Sequence, residues 1–161
     1  MMHGLSSARV EIRACRPADI AGVLALWALA RSDHAVTADR AEDVERLLAD
    51  GEGALHVAER EGEIIGALIA AWDGWRGNLY RLAVHPTHRR RGIASALLLA
   101  GEQHLRRTGA RRVTALVAYD DAEAGAFWDA TGYPQDQEIG RRVKNLPANG
   151  DSISHFHRME I

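Results

Sequence analysis

The densest positive charge in this sequence lies in one short stretch, which consists of His88, Arg89, Arg90 and Arg91. Alternating apolar residues before it predict a strand that ends at Val84, and Gly92 stands in the first turn of a predicted helix, 90–107. A helix N-terminus carries unpaired N–H groups and partial positive charge, and a glycine lets an anion approach that backbone closely. Neighbouring arginines add charged donors for phosphate oxygens. The stretch therefore predicts a site for a phosphate-bearing ligand.

Other interpretations of this basic stretch stay open on the residues alone. A run of charges is often a solvated surface, and arginines also contact the backbone of nucleic acids. The net charge of −2 and the lack of interleaved aromatic residues disfavour nucleic acid. A P-loop requires Gly-Lys-Ser/Thr and a dinucleotide fold requires G-x-G-x-x-G, and neither pattern is present.

Length and composition indicate one soluble globular domain. The chain has 161 residues, of which 47% are hydrophobic and 26% charged. A chain of this size can bury a single core. The single cysteine, Cys15, cannot form an internal disulfide, which fits a reducing compartment. Because no apolar run approaches the ~20 residues of a membrane span and the first residues lack a secretory signal, we expect a cytoplasmic protein without a membrane partner.

The elements that position the basic stretch follow the order β-α-α-β-β-β-α-β-α-β-β. The first predicted elements are strand 10–14, helix 19–29 and a helix capped at Thr37 that ends at Gly51. A hairpin follows, with a first arm that begins at Leu55, a turn at Glu61-Gly62 and a second arm over 64–71. The remaining elements are strand 78–84, helix 90–107, strand 113–118, helix 121–132, and strands 136–144 and 152–161. The strand-helix-strand passage implies a parallel, right-handed crossover, and the hairpin implies antiparallel pairing. We expect one mixed α/β domain, 9–161, after a short segment, 1–8.

At these residues the sequence resembles the Gcn5-related N-acetyltransferases (GNAT). The family motif [Gln/Arg]-x-x-Gly-x-[Gly/Ala] corresponds to Arg89 through Ala94, after a strand that ends in L-A-V-H-P. A second family signature, an Asn cap followed by Ala and an aromatic-Tyr pair before Gly-Phe, corresponds to D-A-E-A-G-A-F-W-D-A-T-G-Y, 121–133. The order of elements agrees over nearly the whole chain. The resemblance implies a mixed, mostly antiparallel central sheet of about seven strands flanked by four helices.

The resemblance also implies acetyl-CoA as the cosubstrate and no metal. Its pyrophosphate would lie on the backbone amides from Arg90 to Ser95, and its pantetheine arm would enter a splay between strands 78–84 and 113–118. The residues expected to bind the cofactor are Leu82, Ala83, Val84, Arg89, Arg90, Arg91, Gly92, Ile93, Ala94, Ser95, Asp121, Phe127 and Trp128.

Two positions depart from the family pattern. Asp121 replaces the family's asparagine, and Asp can still cap a helix. Trp128 stands where many relatives have the tyrosine that is the usual candidate for protonating the departing thiolate. An indole N–H donates a hydrogen bond but has no usable acidity, so Trp128 can fill space against the thioester and cannot act as the acid.

The expected reaction requires a base, a polarised carbonyl and an acid. An amine is mostly protonated at pH 7 and must lose a proton before it attacks; Asp73 and His85 are the candidate bases. A backbone N–H near Val84 would polarise the carbonyl, and Tyr119, or alternatively Tyr80, would protonate the thiolate. Asp73 also belongs to an Asp-Gly turn signal, which favours a structural role. His155 and His157 share a strand face without a third ligand, so no metal site is expected.

We therefore expect an N-acetyltransferase that transfers acetyl to a primary amine, of a small molecule or a protein, by direct attack. Segments 31–37 and 145–151 correspond to the regions that shape the acceptor pocket in the family, and family habit implies a homodimer. The alternative is a catalytically weak acyl-CoA-binding module of the same fold, which the two departures favour.

Overall fold

The computed structural model describes residues 9–30, 38–51 and 53–146. Their elements, in chain order, are β1 (Glu11–Ala14), α1 (Ile20–Ala30), α2 (Ala41–Asp50), β2 (Leu55–Arg60), β3 (Glu63–Trp72), β4 (Gly77–Val84), α3 (Ile93–Thr108), β5 (Val113–Ala115) and α4 (Ala122–Ala130). The strands form one sheet in the order β1-β2-β3-β4-β5. The mixed architecture with four helices agrees with the predicted fold class.

Strand pairing follows the predicted pattern. β1 to β4 pair antiparallel, whereas β4 and β5 pair parallel and are joined by α3. The β2–β3 hairpin turns at Glu61 and Gly62, whose φ values of 53° and 82° match the two positive values of a type I′ turn. The predictions of this hairpin and of the parallel crossover are both confirmed.

The sheet has a hydrophobic cluster on each face. Leu55 and Val57 of β2 face the cluster that contains α1 and α2, and Ala58 faces the cluster that contains α3 and α4. Helix α3 lies so close to the sheet that a Cβ on Gly101 would stand only 2.9 Å from the side chain of Leu68 in β3. This close packing fixes the direction of α3 and therefore the place of its N-terminus beyond the end of β4.

The structure differs from the prediction of a strand at 136–144. Segment 136–144 contains no strand, and β5 is shorter than the predicted 113–118. Ile139, Val143 and Leu146 are spaced four and three apart, so they give no alternating face, and they are 66%, 68% and 82% exposed. The described residues therefore contain five strands, where the resemblance implied about seven for the whole chain. Segment 152–161 and the predicted cap Thr37 lie outside the described residues.

Two classes of feature are absent from the part of the chain that the structure describes. No helix there is long and apolar enough to cross a bilayer. No group of three or more His, Cys, Asp and Glu side chains converges as metal ligands would. His155 and His157 lie outside that part.

Arg13 joins β1, β2 and the turn before α1 in a partly buried ion-pair cluster. Its guanidinium donates to Asp19 at 2.6 and 2.9 Å and to Glu59 at 3.1 and 2.5 Å, with Arg13 and Asp19 side chains both 12% exposed. The hydrogen bond from Arg13 is the main cause of a lowered pKa at Asp19. A carboxyl group whose pKa is lower in the folded chain stabilises it above the unfolded pKa, and this stabilisation disappears as pH falls through the folded value.

We expect Asp19→Asn to lower the free energy of unfolding by about 1.5–3 kcal/mol at pH 7, the range for hydrogen bonds to charged groups. Urea unfolding at pH 7 and at pH 3 tests this, because the gap between the two proteins should shrink as the wild-type carboxyl protonates. Asp43→Asn is the control: its partner Arg46 and Asp43 are 73% and 51% exposed, so its effect should stay below about 1 kcal/mol. Equal losses in the two variants would contradict the prediction.

Candidate functional site

The loop between β4 and α3 has a defined backbone. His85 follows β4 and begins a short 3₁₀ turn, Pro86–His88, in which its Nδ1 accepts a hydrogen bond from the Thr87 N–H at 3.3 Å. Two residues then adopt left-handed conformations, Arg90 at φ 63° and Gly92 at φ 78°. Helix α3 begins directly after Gly92, three residues later than the sequence predicts, because these conformations interrupt helical geometry.

The N-terminus of α3 presents free backbone donors. The first helical hydrogen bond from beyond the cap runs from the N–H of Ala96 to the carbonyl of Gly92 at 3.0 Å. The N–H groups of Ile93, Ala94 and Ser95 precede it, so the helix provides them with no acceptor. A Cβ on Gly92 would meet nothing within 4 Å, so the backbone at the cap of this helix is uncrowded. This geometry suits an oxyanion.

The arginines of the motif surround this N-terminus. Arg89, Arg90 and Arg91 are exposed, and the Nε of Arg89 donates to the Val84 carbonyl at 3.3 Å. A shallow cavity of about 160 Å³ lies beside Gly92, and its lining includes Arg91. The predicted anion site therefore combines backbone donors and guanidinium groups in one place.

β4 and β5 separate partway along β4. Their last paired residues are Leu79 and Ala115, followed by a hydrogen bond from the Leu116 N–H to the Leu79 carbonyl at 3.1 Å. Beyond that point β4 pairs only with β3, and the His85 N–H bonds to the Ile65 carbonyl on the β3 side. Because backbone groups alternate along a strand, the Val84 N–H points to the open side. The splay that the resemblance implied is present here.

A β-bulge lies beside the splay. Between the pairs Ala67–Ala83 and Ile69–Tyr80, the single β3 residue Leu68 stands opposite two residues of β4, Arg81 and Leu82. Arg81 has φ 56°, an unusual value for a residue with a side chain. A bulge bends its strand and changes the direction of the local backbone groups.

The side chain of Arg81 connects this bulge to the opposite layer. Its Nη2 lies 2.6 Å from the Asp39 Oδ1, and the two side chains are 24% and 14% exposed. Its guanidinium carbon lies 5.9 Å from the ring centroid of Trp27 in α1. The bulge is thereby attached to α1 and to the chain that leads into α2. Sequence reasoning missed both Arg81 and Asp39; an arginine within the apolar run N-L-Y-R-L-A-V was the only available signal.

Helix α4 follows β5 in the chain and packs on the face of the sheet that carries α3. The Asp121 Oδ1 accepts from the Ala124 N–H at 2.9 Å, which confirms that aspartate caps this helix. Trp128 is 6% exposed, and its ring meets those of Phe127 and Tyr133 edge to face at centroid distances of 5.4 and 5.2 Å. Trp128 therefore fills the interior between α4 and the sheet.

The candidate bases lie near opposite ends of β4. Asp73 accepts hydrogen bonds from the N–H groups of Trp75 and Arg76 at 2.8 and 2.7 Å, and these bonds lower its pKa. It belongs to the β3–β4 turn, whereas His85 follows the other end of an 8-residue strand, about 25 Å away at the usual rise. The structure brings His85 close to the basic loop and leaves Asp73 apart from it.

The two candidate hydroxyl groups differ in exposure. Tyr119 lies in the connection between β5 and α4 and is 85% exposed. Tyr80 precedes the bulge and packs against the cluster of α1 and α2, where burial raises its pKa. Both lie on segments that border the splay.

We expect Asp73→Ala to lower stability without changing the rate of the chemical step. The carboxylate holds the turn through backbone hydrogen bonds from Trp75 and Arg76, so its loss should lower the urea concentration at the unfolding midpoint. Urea unfolding and steady-state kinetics of the same preparation separate the two effects. A fall in kcat of about 100-fold or more with unchanged stability would instead identify Asp73 as the base.

Comparison with known proteins decides the family. The model described as the Acetyltransferase (GNAT) family matches residues 23–133. The chain belongs to this family. Among curated GNAT relatives, Acetyltransferase ECA0875 of Pectobacterium atrosepticum is 38% identical over 120 residues, 73% of this chain and 84% of the relative. Acetyltransferase SG1711 of Sodalis glossinidius is 33% identical over 138 residues, 83% of this chain and 96% of the relative. The protein is thus an acetyltransferase.

Solved GNAT structures share this fold. The aminoglycoside N-acetyltransferase AAC(6')-Iy in complex with CoA superposes with a TM-score of 0.72 at 18% identity, over 88% of this chain and 99% of that chain. Ard1 from Thermoplasma volcanium superposes with a TM-score of 0.67 at 22% identity, over 76% of this chain and 81% of that chain. At these identities the likeness concerns the fold.

Proposed function

We propose that residues 9–161 act as one acetyl-CoA-dependent N-acetyltransferase domain that transfers acetyl to a primary amine by direct attack. One observation carries the proposal: the open edge of β4 leads directly to the unpaired amides at the start of α3. An extended arm can pair along the first feature while a diphosphate binds the second. The GNAT neighbour AAC(6')-Iy in complex with CoA supports the choice of ligand.

The cofactor position follows from these two features. The diphosphate lies on the N–H groups of residues 92–95, with Arg89, Arg90 and Arg91 as charged helpers. The pantetheine arm runs back along Leu82, Ala83 and Val84, with Asp121, Phe127 and Trp128 on the α4 side. The thioester then lies beside the bulge, because the bulge is the next feature along the open edge.

The bulge supplies the polar groups for the reaction. An N–H from the open part of β4, at Leu82 to Val84, donates to the thioester oxygen and stabilises the negative charge that develops there. The amine nitrogen attacks the carbonyl carbon, and the C–S bond then breaks.

Two proton transfers complete the reaction. The amine gives up its proton through water, and we assign His85 as the acceptor because imidazole exchanges protons near neutral pH. We assign Tyr119, in the exposed connection between β5 and α4, as the group that protonates the thiolate. A thiol with a pKa near about 8.5 is a good leaving group, so replacing the family tyrosine with Trp128 costs the chemistry little.

We assign a small-molecule amine as the acceptor. Aminoglycoside acetyltransferases recur among the structural neighbours, and one of them is bound to a bisubstrate analogue of CoA and acetylneamine. A lysine or N-terminal amine of a protein is the competing acceptor. The alternative function is a catalytically weak acyl-CoA-binding module. It is favoured by Trp128 and Asp121, the two residues that depart from the family pattern.

Thiol release from acetyl-CoA, measured against a panel of amines, tests the proposal. The panel contains polyamines, aminoglycosides, peptides with free N-termini and lysine peptides, and calorimetry measures CoA binding in parallel. We expect CoA binding and turnover with a small amine. Binding without turnover across the panel would establish the module, and turnover confined to the peptides would overturn the acceptor assignment. Absence of CoA binding would refute both functions.

A further inference from the structure

A second, larger cavity lies away from the splay. It has a volume of about 420 Å³ and is bounded by the C-terminal half of α3, by β1 and by the start of β2, near the edge of the sheet opposite β5. The polar side chains in its lining are Arg13, His56, Gln103, His104 and Arg107, and none of the lining residues within the described ranges is acidic.

His56 is a buried polar residue that the acetyl transfer does not use. It is 6% exposed, and its Nδ1 is buried without a hydrogen-bond partner. Burial, followed by the charges of His104 and Arg107, lowers the pKa of His56 to about 4, so the ring is neutral at pH 7. A buried N–H without an acceptor costs more free energy than a buried lone pair without a donor. The unpartnered Nδ1 therefore favours the tautomer that carries its proton on Nε2. The ring then presents an N–H donor at its cavity-lining edge.

His104 completes a pair of imidazoles at this cavity. Its ring meets that of His56 edge to face at a centroid distance of 5.7 Å. A Cβ on Gly53 would lie 2.8 Å from the His104 Nδ1, so the chain at Gly53 covers that side of the ring. The Nε2 side is therefore the one left for the cavity.

Arg107 brings a positive charge without a counter-charge. It is close enough to both imidazoles to lower the pKa of each. In the described ranges it makes no ion pair or hydrogen bond, whereas Arg13 is neutralised by Asp19 and Glu59. A cavity lined by an unpaired guanidinium and two imidazoles offers hydrogen-bond donors and one positive charge that no carboxylate in the described ranges pairs with.

We propose that this cavity binds a small oxyanion, a phosphate or a carboxylate, between Arg107 and the Nε2 edges of His56 and His104. Guanidinium and imidazole N–H groups are the donors that such anions accept in proteins. A divalent metal does not fit the same lining, because its two positive charges would lie beside the unpaired guanidinium of Arg107, and the described lining residues provide two imidazoles but no carboxylate to balance them. The inference does not rest on acetyl transfer.

Phosphate and acetate are the probes, titrated separately at constant ionic strength into the full chain while the histidine Cε1–H signals are followed by NMR. We expect saturable shifts of His56 and His104 with one of the anions, and the anion that saturates identifies the class. Arg107→Gln should weaken this binding about tenfold or more, as expected for the loss of a charged hydrogen bond.

Arg106→Gln is the matched control. Arg106 stands in the same last turn of α3 and has the same effect on the helix dipole, but it is not part of the cavity lining. We expect its affinity for the anion to equal that of the wild type. Shifts that do not saturate, or equal weakening by the two variants, would identify an adventitious ion only and overturn the proposal. The anions could also bind at the N-terminus of α3. A parallel sample saturated with CoA blocks that site, so the histidine shifts that remain come from the cavity.

Discussion

Gly92→Glu is expected to abolish the binding of acetyl-CoA while the protein remains folded. At φ 78° a residue with a side chain is strained by about 1–2 kcal/mol, which a folded domain tolerates. The new Cβ meets no atom within 4 Å, so the fold has room for the side chain. Its carboxylate, however, stands over the amides proposed to hold the diphosphate, where like charges repel.

We expect the dissociation constant for CoA to rise at least about 100-fold, the equivalent of two charged hydrogen bonds lost. Calorimetry measures the affinity, and circular dichroism with a thermal scan checks the fold. Gly109→Ala is the control for backbone strain, because Gly109 caps the other end of α3 with φ 100° and also has open space at its Cβ. CoA affinity that is unchanged in Gly92→Glu would refute the cofactor assignment.

Arg81→Gly is expected to reduce kcat strongly with little change in CoA affinity. Glycine adopts φ 56° without strain, so this variant keeps the backbone conformation of the bulge and removes the side-chain contacts of Arg81, among them those to Asp39 and Trp27. Without them the bulge is free to shift against α1. A displacement of about 1 Å at reacting groups can cost about 100-fold in rate, and we expect a loss of this order.

Asp39→Asn tests the same contact from the other side, since it keeps the shape of the side chain and removes its charge. We expect a fall in kcat in the same direction, smaller because a hydrogen bond to Arg81 survives. Steady-state kinetics and CoA calorimetry separate kcat from cofactor binding, and Asp43→Asn serves as the exposed ion-pair control. If Arg81→Gly lowered stability but left kcat unchanged, Arg81 would have a purely structural role.

The features that the sequence predicted are those that depend on neighbouring residues. The β2–β3 turn follows from Glu61-Gly62, and the helix start with unpaired amides after Gly92 follows from a strand end, a glycine and an apolar helix within one stretch. The cap of α4 follows from an aspartate before an apolar helix. In each case the interacting groups lie close in the chain, so local propensity and periodicity are sufficient.

The features that were missed depend on contacts between distant segments. Asp39 precedes α2 and meets Arg81 only because α1 and α2 cover the sheet at β4. β5 ends early because β4 turns away from it, which no pattern within 113–118 reveals. The strand predicted at 136–144 is absent from the structure. Its residues Ile139 and Val143 favour strands individually, but with Leu146 they are spaced four and three apart, which gives no alternating face that a sheet could bury.

The bulge also reverses the alternation of β4. Leu79 faces the α3 cluster, as do Leu82 and Val84, while Tyr80 and Ala83 face the α1 cluster. Because of the extra residue, β4 pairs with β3 in one register before the bulge and in a different register after it. A shift of β4 by one residue would disrupt both registers at once, so the position of β4 along β3 is fixed. The chain from Leu82 to Gly92 is consequently a spacer of fixed length. With the proposed position of the cofactor, the acyl group lies at the bulge and the diphosphate at the N-terminus of α3. A thioester with the same acyl group on a shorter arm would reach one of these two places, but it could not reach both at once.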